Sequence, residues 1–259
     1  MYDYDIKDKT YAGVKKRKFP YFSVGLIIVG TAMLIGGGIW YANTDMSRYE
    51  DNMISSVSDE IDGSKVENVK IKVSASEIHV GTSEDGMVHL EGSVPDGYTF
   101  NEHNGTLNID LTLDHVNFMN LNDDDKEPVF IYLPDRMYED FELNIGAGEI
   151  TIDNISCKNA KLETGAGEII VTNVKCEKKL VTDTGTGEIE ISESVVGGLK
   201  ANIGAGEFTY NGEVNGDIDV DCGVGECSID LTNKEEEFNK KYKVDLDTGI
   251  GDVNVTYGN

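Results

Sequence analysis

Six carboxylates recur in one local setting through the second half of the chain. Glu149, Glu168, Glu188, Glu207, Glu226 and Asp252 each follow a Gly-x-Gly turn and precede an apolar residue. The copies read GAGEI, GAGEI, GTGEI, GAGEF, GVGEC and GIGDV. Carboxylates offer two kinds of chemistry here: hard oxygen ligands for a divalent cation such as Ca²⁺, or a solvated negative surface that attracts cationic partners. The Gly-rich calcium repeat has a period of about nine residues and a different placement of its acid, so these copies do not match it. They also lack the Lys-Ser/Thr tail and following helix of a phosphate loop.

The positions that must carry these acids are countable. The first glycines, Gly146, Gly165, Gly185, Gly204, Gly223 and Gly249, are separated by 19, 20, 19, 19 and 26 residues. The second glycines are Gly148, Gly167, Gly187, Gly206, Gly225 and Gly251. A period near 20 predicts a solenoid. Counted from each first glycine, positions −5, −3 and −1 are mostly apolar, as Phe141, Leu143 and Ile145 are in the first copy. So are +4 and +6, where Ile150, Ile169 and Ile189 and then Ile152, Val171 and Ile191 recur. Alternation on both sides of a glycine turn predicts two strands per repeat, each with one inward face. One unit cannot bury that face alone, so units stack about 4.8 Å apart. The expected fold class is all-β: a β-solenoid of about six coils over 141–259, with cap strands over 64–140. In this reading the glycines supply positive φ at each corner. The 26-residue interval holds the charged insertion NKEEEFNKKYK.

Stacking sets the acids in columns. Neighbouring carboxylates about 5 Å apart repel by about 0.8 kcal/mol in water and about 3 kcal/mol at an effective dielectric of 20. A solvated row tolerates this, and bound Ca²⁺ would relieve it. The sequence leaves both readings open; the metal reading takes the six acids as ligands, and no other cofactor is expected.

Four cysteines fall inside the repeats. Cys157 and Cys176 both lie at +11 of adjacent copies, and Cys222 and Cys227 flank one corner. Outside the cell these pairs admit two disulfides; the competing reading is small core hydrophobes. His79, His89, His103 and His115 are spaced 10, 14 and 12 residues apart and match no short metal motif.

The first part of the chain differs in kind. Phe19 to Ala42 contains no charged residue, and 24 residues of helix span about 36 Å, enough to cross a bilayer. Lys15, Lys16, Arg17 and Lys18 precede it and Arg48 alone follows closely, which predicts a cytoplasmic tail over 1–18 and an extracytoplasmic domain beyond. Residues 43–63 read as a juxtamembrane stalk, with Met46, Tyr49, Met53, Val57 and Ile61 at helical spacing. The tail carries six basic and three acidic residues of the chain's 22 and 48, leaving 16 and 45 outside, a net charge of −29. Such a surface excludes nucleic acid as a partner and attracts cationic peptides or metal ions.

The repeated GAGEI corners, the opening VKIKVSASEIHV with a serine-substituted corner at Ser74-Ala75-Ser76-Glu77, and VFIYLPDRMYEDFELNIGAGEI together resemble the bacterial adhesin-like β-strand-repeat proteins called toastrack domains. The resemblance covers about 64–259. It implies a β-strand stack and a cell-envelope location, and it brings no catalytic residues. The expected function is therefore non-catalytic: a membrane-anchored interaction or sensing module facing an envelope protein, a wall component or a cationic peptide. A calcium-binding solenoid is the alternative. A carbohydrate-active enzyme is third, because such β-helices need a basic residue over the acid face and the six corner columns contain none.

Overall fold

The computed structural model describes residues 54–112 and 127–258. The predicted membrane segment 19–42 and the tail before it lie outside these residues. Twelve strands among the described residues form one continuous sheet: β1 (Ile54–Asp62), β2 (Asn68–Ser83), β3 (Met87–Pro95), β4 (Thr99–His103), β5 (Thr106–Leu111), β6 (Val129–Pro134), β7 (Met137–Asp153), β8 (Ser156–Thr172), β9 (Lys175–Val196), β10 (Leu199–Val214), β11 (Ile218–Lys234) and β12 (Val244–Gly258). The helical spacing read across Val57 and Ile61 does not hold. Residues 54–62 instead pair antiparallel with β3, from Ile54 opposite Pro95 to Asp62 opposite Met87, because backbone groups beside an open strand edge are better satisfied by pairing than by one isolated helical turn.

The stack itself is parallel and in register. Ile150 pairs with Ile169 and Ile169 with Ile189, and all three are fully buried. The −5, −3, −1, +4 and +6 rows are buried from β7 to β11. Pairing skips only the first glycine and keeps its register around the corner: Ala147 faces Ala166 and Gly148 faces Gly167 within the same ladder as the arms. Each repeat is thus one long strand bent at the glycines. The 20-residue interval reflects one extra residue in β9, where the register shifts between the pairs Cys157–Cys176 and Asn159–Lys179.

The stack holds more layers than the six glycine copies. β2 pairs in parallel with β7 from Asn68–Asp140 to Val80–Ile152, so the serine-substituted segment is a full coil rather than part of a cap. On its other face β2 pairs in parallel with β5 over 68–73 and with β6 over 78–83. β5 and β6 are two arms of a further layer whose corner is replaced by the 112–128 insertion. Antiparallel strands close this end: β4 lies on β5, β3 on β6 and β1 on β3.

A further inward row, which the two-strand pattern did not reveal, follows each second arm. Tyr138, Cys157, Cys176, Val196 and Val214 are all buried there. In the last repeat the insertion forms a short helix, α1 (Glu235–Phe238), which places Phe238 in the core against Tyr242 and Tyr257 at ring distances of 5.3 and 5.9 Å. Thr164, Thr182 and Thr184 are also buried, with hydroxyls that have no hydrogen-bond partner among the described residues.

Burial and orphaned hydroxyls give opposite signs on mutation. In urea denaturation, Ile189→Ala should lower stability by about 2–5 kcal/mol, through lost transfer energy and a cavity. Thr182→Val keeps the shape, removes the unpaired hydroxyl and should raise stability by about 1 kcal/mol.

Candidate functional site: an acidic ribbon on a glycine floor

Each glycine corner is shaped by the coil beneath it. A Cβ at Gly206 would sit 1.8 Å from the Gly187 carbonyl oxygen, and one at Gly204 would sit 2.5 Å from that of Gly185. The same contact recurs at every copy. The second glycines also have positive φ, 148° at Gly206, while the first glycines do not. Positive φ therefore explains half of the motif, and backbone crowding explains both halves.

With no side chains between them, the glycines form a floor, and the acids at +3 line it. Glu77, Glu149, Glu168, Glu188, Glu207, Glu226 and Asp252 are consecutive register partners through the stack. An open groove of about 540 Å³ runs along this row over Gly167, Gly187 and Gly206, bounded by Glu168, Glu188, Glu207 and Glu226. Glu77 extends the row by one position beyond the six glycine copies; its SASE corner carries the acid without the glycines.

The two acid columns beside the corner differ in how they are neutralised. At −2, two amides stand among four carboxylates: the Asn144 side chain donates to Glu163 at 3.0 Å and that of Asn202 to Asp183 at 2.6 Å. Lys161 adds an ion pair to Glu163 at 2.6 Å. These bonds to Lys161 and Asn144 hold the Glu163 carboxyl below its ordinary range. The first position of this column in β2 is Lys72, opposite Asn144, a basic residue beside the corner that the six-copy alignment did not include. At +3, by contrast, Glu149, Glu168, Glu188, Glu207, Glu226 and Asp252 have no hydrogen bond or ion pair among the described residues. Partial burial, then the charges of Glu207, Glu168 and Glu190, push the Glu188 carboxyl up. Burial and the charges of Asp247 and Asp219 do the same to Asp221.

The acids form a line one strand spacing apart and do not converge. Among the described residues, no three His, Cys, Asp or Glu side chains come together as a metal centre. A cation at this row would meet only the carboxylates of adjacent coils and would take the rest of its six to eight oxygens from water.

The cysteines and histidines lie elsewhere. All four cysteines are free and buried, and neither expected disulfide is formed. Cys157 and Cys176 occupy the inward row after the second arm, and Cys222 and Cys227 the −1 and +4 rows. In neighbouring coils these places are held by Tyr138 and Val196, by Ile203 and Thr248, and by Phe208 and Val253, so a small core residue suits them. The hydrogen bond within each thiol pair, then burial, pushes Cys157 and Cys227 up, away from the reactive thiolate. His79 stacks on Phe130 at 5.1 Å. His89 lies 2.9 Å from Asp85, and His103 accepts from Asn104 at 2.9 Å. His115 lies outside the described residues.

An all-β parallel stack with bent strands and a glycine corner defines a solenoid-like class of domain. The chain belongs to the family described as Toastrack DUF4097, which matches residues 64–259. Among solved structures it is similar to a "putative cell adhesion protein" from Clostridium sporogenes, at 14% identity and a TM-score of 0.47, covering 79% of this chain and 100% of that one. It is also similar to a "putative adhesin" from Bacteroides fragilis, at 17% identity and a TM-score of 0.46, covering 78% and 97%. A "putative lipid binding protein" from Parabacteroides distasonis matches at 12% identity and a TM-score of 0.33, covering 79% and 97%. No curated protein matches the chain.

The raised Glu188 carboxyl carries a sign. Its folded pKa lies above its unfolded one, so its favourable contribution is complete below the ordinary glutamate range and is lost as pH rises through the folded value. Glu188→Gln should therefore melt higher than the parent at pH 7, by about 1 °C or more, and the difference should vanish near about pH 4. Thermal melts at the two pH values measure this.

Proposed function

We propose that the chain is a membrane-anchored, non-catalytic binding module of the bacterial cell envelope, whose ligand is an extended cationic segment of a peptide, protein or wall component. The observation that carries this reading is the unneutralised +3 row over a flat glycine floor. A stable protein with free choice of surface residues would pair such a row with Lys, Arg or Asn, as the −2 column does. An extended chain rises about 3.3 Å per residue and a stack about 4.8 Å per coil, so basic groups along an extended ligand meet successive carboxylates without a strict register. The membrane anchor is residues 19–42, and the N-terminus stays in the cytoplasm. Calcium is a second occupant of the same row, held loosely as a counterion.

The experiment is fluorescence anisotropy of a labelled oligolysine with the full chain in a neutral detergent. Binding should weaken as salt rises, and Glu188→Gln with Glu207→Gln should weaken it about tenfold or more. Asp217→Asn, away from the corner, should leave it within about twofold. Equal binding by parent and double variant would remove the corner row as the site. Millimolar Ca²⁺ should compete more strongly than NaCl of equal ionic strength if the row also takes the metal.

A further inference from the structure

The two ends of the stack are built differently. The end at β5 and β6 is covered by the antiparallel strands β1, β3 and β4. The other end is β12, which among the described residues pairs only with β11 and leaves its second edge open over 15 residues. Its inward residues show the consequence. Val244, Leu246, Val253 and Val255 are only half-buried, whereas their counterparts Ile218, Val220, Cys227 and Ile229 one coil below are within 1% of fully buried. Ile250, at the tip of the last corner, is 56% exposed. The strand has no Lys or Pro, and its only charged residues are Asp245, Asp247 and Asp252, which keep it from pairing with an acidic edge in an unmatched register.

We infer that β12 is a dimerisation edge, and that its occupant is β12 of a second copy, joined antiparallel about a two-fold axis through the glycine corner. The register follows from the bend. Inward positions are even-numbered before the corner (244, 246, 248) and odd-numbered after it (253, 255). A two-fold axis along the bisector of the bend lays the first arm of one copy over the second arm of the other, in opposite directions. Pairing Ile250 with Gly251 of the second copy then sets Val244 opposite Tyr257, Leu246 opposite Val255 and Thr248 opposite Val253. Every inward residue meets an inward residue, so the two cores become one.

The same register settles the charges. Asp245 falls opposite Thr256, Asp247 opposite Asn254 and Asp252 opposite Gly249, so no acid of β12 faces an acid directly across the joint. A parallel addition of the same strand, continuing the stack, would instead place Asp on Asp at all three positions. A two-fold joint uses the β12 edge of both copies at once, so the assembly closes at two. β1 lies at the opposite end of each stack, so the joint is clear of the chain leading to residues 1–53. This inference is independent of the ligand proposed for the +3 row, and its salt dependence has the opposite sign. Two strongly acidic copies should associate more tightly as salt screens them.

The test is sedimentation equilibrium of the full chain in a density-matched detergent, with oxidative cross-linking of engineered cysteine pairs. The parent should form dimers and nothing larger, more tightly at 500 mM than at 50 mM NaCl. Ile250→Glu, at an exposed tip, should weaken the dimer at least tenfold with an unchanged melting temperature. Asp247→Cys with Asn254→Cys should cross-link into dimers at least tenfold faster than the out-of-register pair Asp245→Cys with Asn254→Cys. A monomer at all concentrations, open-ended oligomers, equal cross-linking in both registers, or an edge that takes up an unrelated strand peptide in place of itself would each overturn the inference.

Discussion

Backbone meets backbone at every corner of this stack, and that contact governs what the sequence can contain there. Successive bent strands approach so closely that a Cβ at any second glycine from Gly148 to Gly251 would stand 1.7–2.2 Å from a carbonyl oxygen of the preceding coil. Only hydrogen fits. The arms then stay in parallel register around the bend, and the register in turn superposes the aliphatic rows that make the core. The exception supports the same cause. Ser76 occupies the glycine position in β2, opposite Gly148, but on its other side β5 ends at Leu111 and β6 begins at Val129. Among the described residues no strand pairs with 75–77 from that side, and a side chain is accommodated at Ser76.

The same geometry accounts for the charge on the outside. Removing side chains from the corner leaves the +3 acids standing beside an unobstructed floor. Because the stack repeats them at strand spacing, the charges of Glu207 and Glu168 add to burial in pushing up the Glu188 carboxyl in the middle of the row. The −2 column has the same spacing and is relieved by Asn144, Asn202 and Lys161. Of two columns of equal pitch, one is neutralised from within the chain at Glu163 and Asp183 and the other is not from Glu149 to Asp252, which separates a partly structural surface from one suited to a partner.

Much of this was legible in the sequence because a period of about 20 residues carries its own register: once Gly146 to Gly249 are aligned, the inward rows follow by alternation, and Ile150, Ile169 and Ile189 lie where counting puts them. What the count missed lies where the period is interrupted. β2, β5 and β6 belong to the stack, but β3, β4 and the 112–128 insertion separate them along the chain, so their spacing conceals their adjacency. β1 was obscured by an accidental helical spacing in a polar segment, since a strand edge elsewhere in the chain decides its state. Glu77 and Lys72 join the corner columns only through the parallel pairing of β2 with β7. The cysteines looked like two bridges because their spacing puts them side by side, yet side by side in this stack is also where two core hydrophobes sit.

The claim on which the rest depends is that the preceding coil, more than the turn itself, demands glycine. Reciprocal substitution tests it most directly, by equilibrium urea denaturation of Gly206→Ser and Ser76→Gly. Gly206→Ser should cost at least about 3 kcal/mol, since its Cβ would collide with the Gly187 carbonyl. Ser76→Gly should change stability by no more than about 1 kcal/mol. Similar losses for both, or a tolerated serine at 206, would contradict the account.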